Sequence, residues 1–186
     1  MSKTTLKKLL AELDREQLTQ VLLDLYDARK EAREYLEYFV DPDENAMMEK
    51  YRAVIAKEFF PAKGRIKGRT SVCKRAIKDF SLLHPSPRLI AELKMYLVES
   101  IVSYAVKMRS WIKESHENTL FAVFEEMLDY MFTHDLLVAF EPRIRQVLNT
   151  TKGLRGPVKS RTMEIFESFC ESMKLREMFP VPGISG

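Results

Sequence analysis

Residues 88–113 read RLIAELKMYLVESIVSYAVKMRSWIK, and this stretch decides the fold. Leu93, Leu97, Ile101, Tyr104 and Met108 recur at spacings of three and four and line one side of a helix. Val98, Val102 and Ala105 line another side. A helix that is apolar on several sides belongs in the middle of a fold. The stretch predicts a long central helix with other helices packed around it.

Working back towards the N-terminus, His84-Pro85-Ser86-Pro87 breaks the chain before that helix. Ahead of the break, Cys73, Ala76, Ile77 and Phe80 form the inner face of another helix, which Thr70 or Ser71 can cap. The polar loop Lys63-Gly64-Arg65-Ile66-Lys67-Gly68-Arg69 precedes it. A helix from about Glu44 turns Met47, Met48, Tyr51, Val54, Ile55 and Phe59 inward and stops before Pro61. Leu18, Val21, Leu25, Ala28, Ala32, Tyr35 and Phe39 give one long helix or two that bend near Arg29, ended by Asp41-Pro42-Asp43. Asp14 with Gln17 three residues on forms a capping box, and Leu6, Leu9, Leu10 and Leu13 mark a short helix before it.

Towards the C-terminus, a helix from about Asn118 to His134 points Leu120, Phe124, Leu128 and Met131 inward. The next spans Leu136 to Asn149, with Pro142 tolerable only in or near its first turn. After Thr151-Lys152-Gly153-Leu154-Arg155-Gly156, Pro157 suits a first helical position. Val158, Met163, Ile165, Phe166, Phe169, Cys170 and Met173 line the last helix. These elements predict an all-α fold of eight to nine helices in antiparallel pairs, as a bundle or a short superhelix. One domain is expected over 1–178, with a loose tail at 179–186.

Composition agrees with this class. The chain has 186 residues, 46% hydrophobic and 31% charged, with only 6 Gly and 8 Pro, which excludes collagen-like and low-complexity chains. Purely apolar runs such as Leu120 to Phe124 and Leu136 to Phe140 fall far short of the roughly twenty residues a membrane helix needs. Lysines interrupt the N-terminal leucines, so no signal core is expected. Two thiols, Cys73 and Cys170, fit a reducing compartment. The expected location is cytoplasmic, without membrane association, as a monomer or homodimer.

Catalytic and metal signals are weak. His84, His116, His134 and two distant cysteines have no zinc spacing, and His116-Glu117 lacks the second histidine of a zinc-protease motif because position 120 is Leu120. Gly64 to Thr70 is one residue short of a phosphate loop and has arginine where lysine belongs. Both cysteines are read as small buried hydrophobes. Glu126, Tyr130 and His134 form a stripe at i, i+4 and i+8, where an acid, a phenol and an imidazole could bind a ligand. Its plainest reading is a half-exposed helix margin. No cofactor and no enzymatic activity are expected.

Charge is unevenly spread. Residues 1–56 carry a net of −3, whereas 57–78 carry eight basic side chains against Glu58 alone. Lys74, Arg75 and Lys78 project opposite Cys73, Ile77 and Phe80, so they share one outward face. Cations also crowd a helix start near Thr70, where the unpaired N–H groups and partial positive charge favour an anion. Arg65, Lys67, Arg69, Thr70, Ser71, Lys74, Arg75 and Lys78 are therefore the candidate anion- or partner-binding residues. A phosphate, a sulfate or an acidic side chain of another element is expected near Arg69, Thr70 and Ser71. Without interleaved exposed aromatics to stack bases, nucleic acid is the second reading. The first is a non-enzymatic helical module that presents a groove to another protein.

Several motifs carry a family resemblance: Leu13-Asp14-Arg15-Glu16-Gln17-Leu18 with Leu25-Tyr26-Asp27; Tyr51 with Lys57-Glu58-Phe59-Phe60-Pro61; and Lys74-Arg75-Ala76-Ile77-Lys78-Asp79-Phe80. The most specific is Pro85-Ser86-Pro87 leading into Ala91-Glu92-Leu93-Lys94-Met95-Tyr96-Leu97-Val98-Glu99. Along most of its length the chain resembles a family of uncharacterised bacterial proteins, a domain of unknown function found in Bacteroidetes and relatives. Members often carry a proline near the position of Glu31, which implies a helix break there. They also tend to have a glycine-, aromatic- and histidine-rich turn before the last helix. Here Gly153-Leu154-Arg155-Gly156-Pro157 has no histidine or aromatic, so a family site at that turn would be missing. The resemblance implies an all-helical fold and supplies no activity, cofactor or catalytic residue.

Overall fold

Helix starts and stops in this chain follow from a few side chains. A computed structural model describes residues 2–109 and 112–174, which hold nine α-helices and no strand. The expected tail at 179–186 lies outside the described residues. Contacts among the described residues cluster into two units that divide between Asp43 and Glu44.

In the first unit, Ser2 caps α1 (Lys3–Glu12) by accepting from the Thr5 N–H. Asp14 and Gln17 form both bonds of the capping box that opens α2 (Arg15–Ala28). Arg29 takes extended angles (φ −137°, ψ 121°) and separates α2 from α3 (Lys30–Val40), which settles the choice between one helix and two. The Tyr26 hydroxyl donates to Glu37 at 2.8 Å and ties α2 to α3. Neither α1 nor α2 buries a residue, and α3 buries Tyr38 alone. The stripe from Leu18 to Phe39 is therefore not a core, because the unit contains nothing to cover it.

The second unit has an ordinary core. It comprises α4 (Glu44–Phe59), α5 (Thr70–Ser81), α6 (Pro87–Lys107), α7 (Glu114–Thr133), α8 (Leu137–Lys152) and α9 (Pro157–Ser172). Helix α6 packs against α4, α5, α7 and α8, and α7 packs in turn against α9. Leu93, Met95, Leu97, Val98 and Ile101 of α6 are fully buried, as a central helix requires. Burying these side chains is worth about 1.5–3 kcal/mol each relative to exposure. Ser86 fixes the entry to α6: its N–H and hydroxyl both donate to the Glu44 carboxylate at 2.7 Å. The result is a helical bundle.

Four details depart from the sequence reading. Helix α6 ends at Lys107 rather than near Lys113, because Arg109 turns the chain out at φ +52° without the glycine that usually marks such an exit. Helix α7 starts at Glu114, four residues early, supported by Glu114 and Glu117 in its first turn. Helix α8 runs on to Lys152 and holds Pro142 inside it, beyond the first turn. Val54, expected inward on α4, is exposed.

Candidate functional site

The site grows from one acidic side chain on an apolar face. Glu58 follows Ile55 at i+3, next to Phe59, and α4 buries all three. An isolated buried carboxylate is costly, so its oxygens must find donors. Glu58 Oε2 accepts from the Arg69 backbone N–H at 3.0 Å and from Arg69 Nε at 3.1 Å. Oε1 accepts from Arg69 Nη2 at 2.7 Å. The Glu58 carbonyl accepts from the Gly68 N–H at 3.0 Å. Bonding to Arg69 holds the Glu58 carboxyl below its ordinary range against the opposing effect of burial, and the carboxylate raises Arg69 in return.

This arrangement replaces the cap expected from Thr70 or Ser71. Arg69 is the residue before α5, no side chain caps the helix there, and Thr70 is already its first residue. The carboxylate at Arg69 belongs to the chain itself, on the preceding helix. A second fixed point comes from α7: His116 Nε2 donates to the Gly68 carbonyl at 2.7 Å. The buried His116 Nδ1 has no hydrogen-bond partner among the described residues. Its ring stands edge-on to Phe59 and Tyr104. Gly68 takes φ +58°, and a Cβ there would lie 2.7 Å from His116 Nε2, so only glycine fits. Cys73 lies just inside this clasp, and burial with the Glu58 charge pushes its thiol up to about 12.

The remaining candidates stay on the outside. Arg65 and Lys67 are exposed on the loop, as are Ser71, Lys74, Arg75 and Lys78 on α5. Arg75 reaches Asp79 at 3.5 Å. Phe60, at the root of the loop, is 51% exposed and corrects the expectation that no aromatic is presented in this stretch.

A family model matches residues 1–170. The chain belongs to the family of unknown function DUF6155. No curated protein and no solved structure matches it. The resemblance read from its motifs is thus to a family without an assigned activity, and the clasped hairpin of this DUF6155 chain lies wholly inside the matched region.

The α7 stripe of the DUF6155 chain is not an empty constellation. Lys94 of α6, whose side chain is only 13% exposed, places its ammonium 3.1 Å from Glu126 Oε2 and 6.0 Å from the Tyr130 ring centre. Tyr130 and His134 pack with ring centres 4.3 Å apart and planes tilted by 48°, and burial raises the Tyr130 phenol. The stripe thus serves as a pin between α6 and α7. On the other side of α6, Arg143 of α8 makes a bidentate pair with Glu99 at 2.8 Å and also bonds Glu92. Among the described residues, no group of three or more His, Cys, Asp or Glu is placed to hold a metal, and no helix is long and apolar enough to cross a membrane.

Glu58, Phe60, Lys94 and His116 were all missed as site residues. Glu58 carried a signal, a carboxylate at core spacing beside Ile55 and Phe59. Lys94 and His116 carried none, since their roles depend on partners 32 and 48 residues away.

Proposed function

We propose that this protein is a non-enzymatic interaction module whose N-terminal helices dock onto an apolar helical face of another protein. The observation that carries this reading is the uncovered apolar surface of residues 2–43. Nine of the sixteen large apolar side chains exposed among the described residues lie there, including Val21, Leu22, Leu25 and Phe39. Apolar surface of that extent on a soluble chain marks an interaction site. The unit is also close to the size, about 40 residues, below which a chain needs a partner, a metal or disulfides to hold its fold. Residues 1–43 carry seven basic and ten acidic side chains, so a partner face flanked by basic residues suits it. The pinned α7 stripe supports the non-enzymatic part, because Glu126 is already engaged by Lys94.

The test is affinity capture from the native host with wild-type protein and the variant V21E/L25E. Wild type is expected to retain a specific protein that the variant loses, while the melting temperature of the variant stays within a few degrees of wild type. Equal capture by both chains, or a melting temperature that collapses in the variant because this face is needed inside the chain, would overturn the reading.

A further inference from the structure

We propose that the α4–α5 hairpin is a binding surface for single-stranded nucleic acid. The inference uses a different surface from the one above and stands without it.

The first argument is charge. The hairpin from Lys57 to Asp79 holds two acids, and both are spent internally. Glu58 is buried against Arg69, and Asp79 pairs with Arg75. Six exposed cations remain, Lys57, Lys63, Arg65, Lys67, Lys74 and Lys78, none in an ion pair among the described residues. With Glu58 buried and Asp79 paired with Arg75, the exposed side chains of the hairpin are predominantly cationic, which favours a polyanion.

The second argument is that the loop is held in place. At its C-terminal end Gly68 and Arg69 are bonded to Glu58, and Gly68 also to His116. The tip, Lys63 to Lys67, is exposed apart from the half-buried Ile66 and turns at Gly64 with φ +87°. A polyanion meeting a loop already anchored at its base loses less to ordering than one meeting a free loop.

The third argument selects the class of polyanion. The Phe60 N–H donates to the Ala56 carbonyl at 2.6 Å, so the last turn of α4 continues to Phe60 and places it on the face of Lys57, three residues before. The half-exposed ring lies within three residues of both Lys57 and Lys63 in the chain, on the rim of a groove that Tyr96 and Ser103 also line. An aromatic platform beside a basic track is how proteins hold single strands, since bases can stack only when unpaired. An acidic protein partner would need a wider apolar centre than one ring. An anionic membrane surface would engage the cations alone and give the Phe60 ring no base to stack on, so the F60A result separates the two.

The test is fluorescence anisotropy of the full chain with short, labelled, mixed-sequence oligonucleotides, single- and double-stranded, at about 50 and 200 mM salt. Wild type is expected to prefer the single strand and to weaken as salt rises. K63E/R65E/K67E, which leaves Arg69 and the clasp untouched, should lose at least about tenfold in affinity and lower the log–log salt slope by about 2. F60A should lose about tenfold with an unchanged slope, and F60W should restore it. Should the triple variant lose helicity, K74E/K78E on the outward face of α5 replaces it, with a loss of about tenfold and a slope lowered by about 1.4. Unchanged affinity in the charge variants overturns the proposal. So does equal binding of duplex and single strand with F60A silent, or binding confined to anionic vesicles or polyglutamate.

Discussion

Glu58 is the residue on which the hairpin turns, and its ionisation is linked to stability. In the folded chain the carboxyl lies below its ordinary 4.5, so its contribution is complete above that value. It is lost as the pH falls through the lower value at which the folded chain takes up the proton. E58Q should cost about 1–2 kcal/mol near neutral pH, since a buried charged acceptor loses its strongest bonds. The gap between wild type and E58Q should narrow from pH 7 towards pH 3, and urea unfolding across that range measures it. A gap that widens on acidification would mean that Glu58 is not the linked group. Gly68 gives a second prediction. G68A forces a Cβ into the buried His116 ring at a left-handed φ, so stability should fall by at least about 1–2 kcal/mol, read as a lowered thermal midpoint.

At the scale of elements, most helices were legible because their boundaries are written in local chemistry. Asp14 with Gln17, Pro87 and Pro157 each open a helix by a rule that needs no tertiary information. The errors fall where the signal is absent. Arg109, Asp135 and Lys174 take positive φ just past helix ends without being glycine, so no glycine marks the stop; at His84, also at positive φ, Pro85 and Pro87 mark it instead. The clasp was illegible for the same reason at longer range, since Glu58 and Arg69 meet only when α4 and α5 fold back on each other. Between elements, Arg143 is the clearest tie. R143A should strand Glu92 and Glu99 on α6 and cost about 1–2 kcal/mol, because both are only about 30% exposed. R143K should recover little, as one ammonium cannot reproduce a planar bidentate pair. Chemical denaturation of both variants decides this.

For the whole molecule, the division near Asp43 separates a unit with a core from one without. Periodicity alone could not reveal this: the stripe from Leu18 to Phe39 has the same spacing as the buried faces of α5 and α6. Spacing reports which side of a helix is apolar, and it is silent about whether anything lies over that side. The chain from Glu44 onward contains its own core and should unfold in one cooperative transition when made alone. A peptide of residues 1–43 should show little helix in water by circular dichroism, since short helices without packing are marginal. A two-step transition in the first, or strong helicity in the second, would contradict the division.

The burial of α6 also sets a clock. Amide hydrogens exchange with solvent only when their bonds open, and the depth of packing decides how much of the chain must open with them. Those of Leu97, Val98 and Ile101, on a helix enclosed by four others, should exchange only when the whole second unit unfolds. Those of Val21 to Leu25, on a helix that buries no residue, should exchange through local fraying and finish far sooner. A deuterium time course would show the two rates side by side, and adding a partner that covers α2 should slow the fast one while leaving the slow one where it stands.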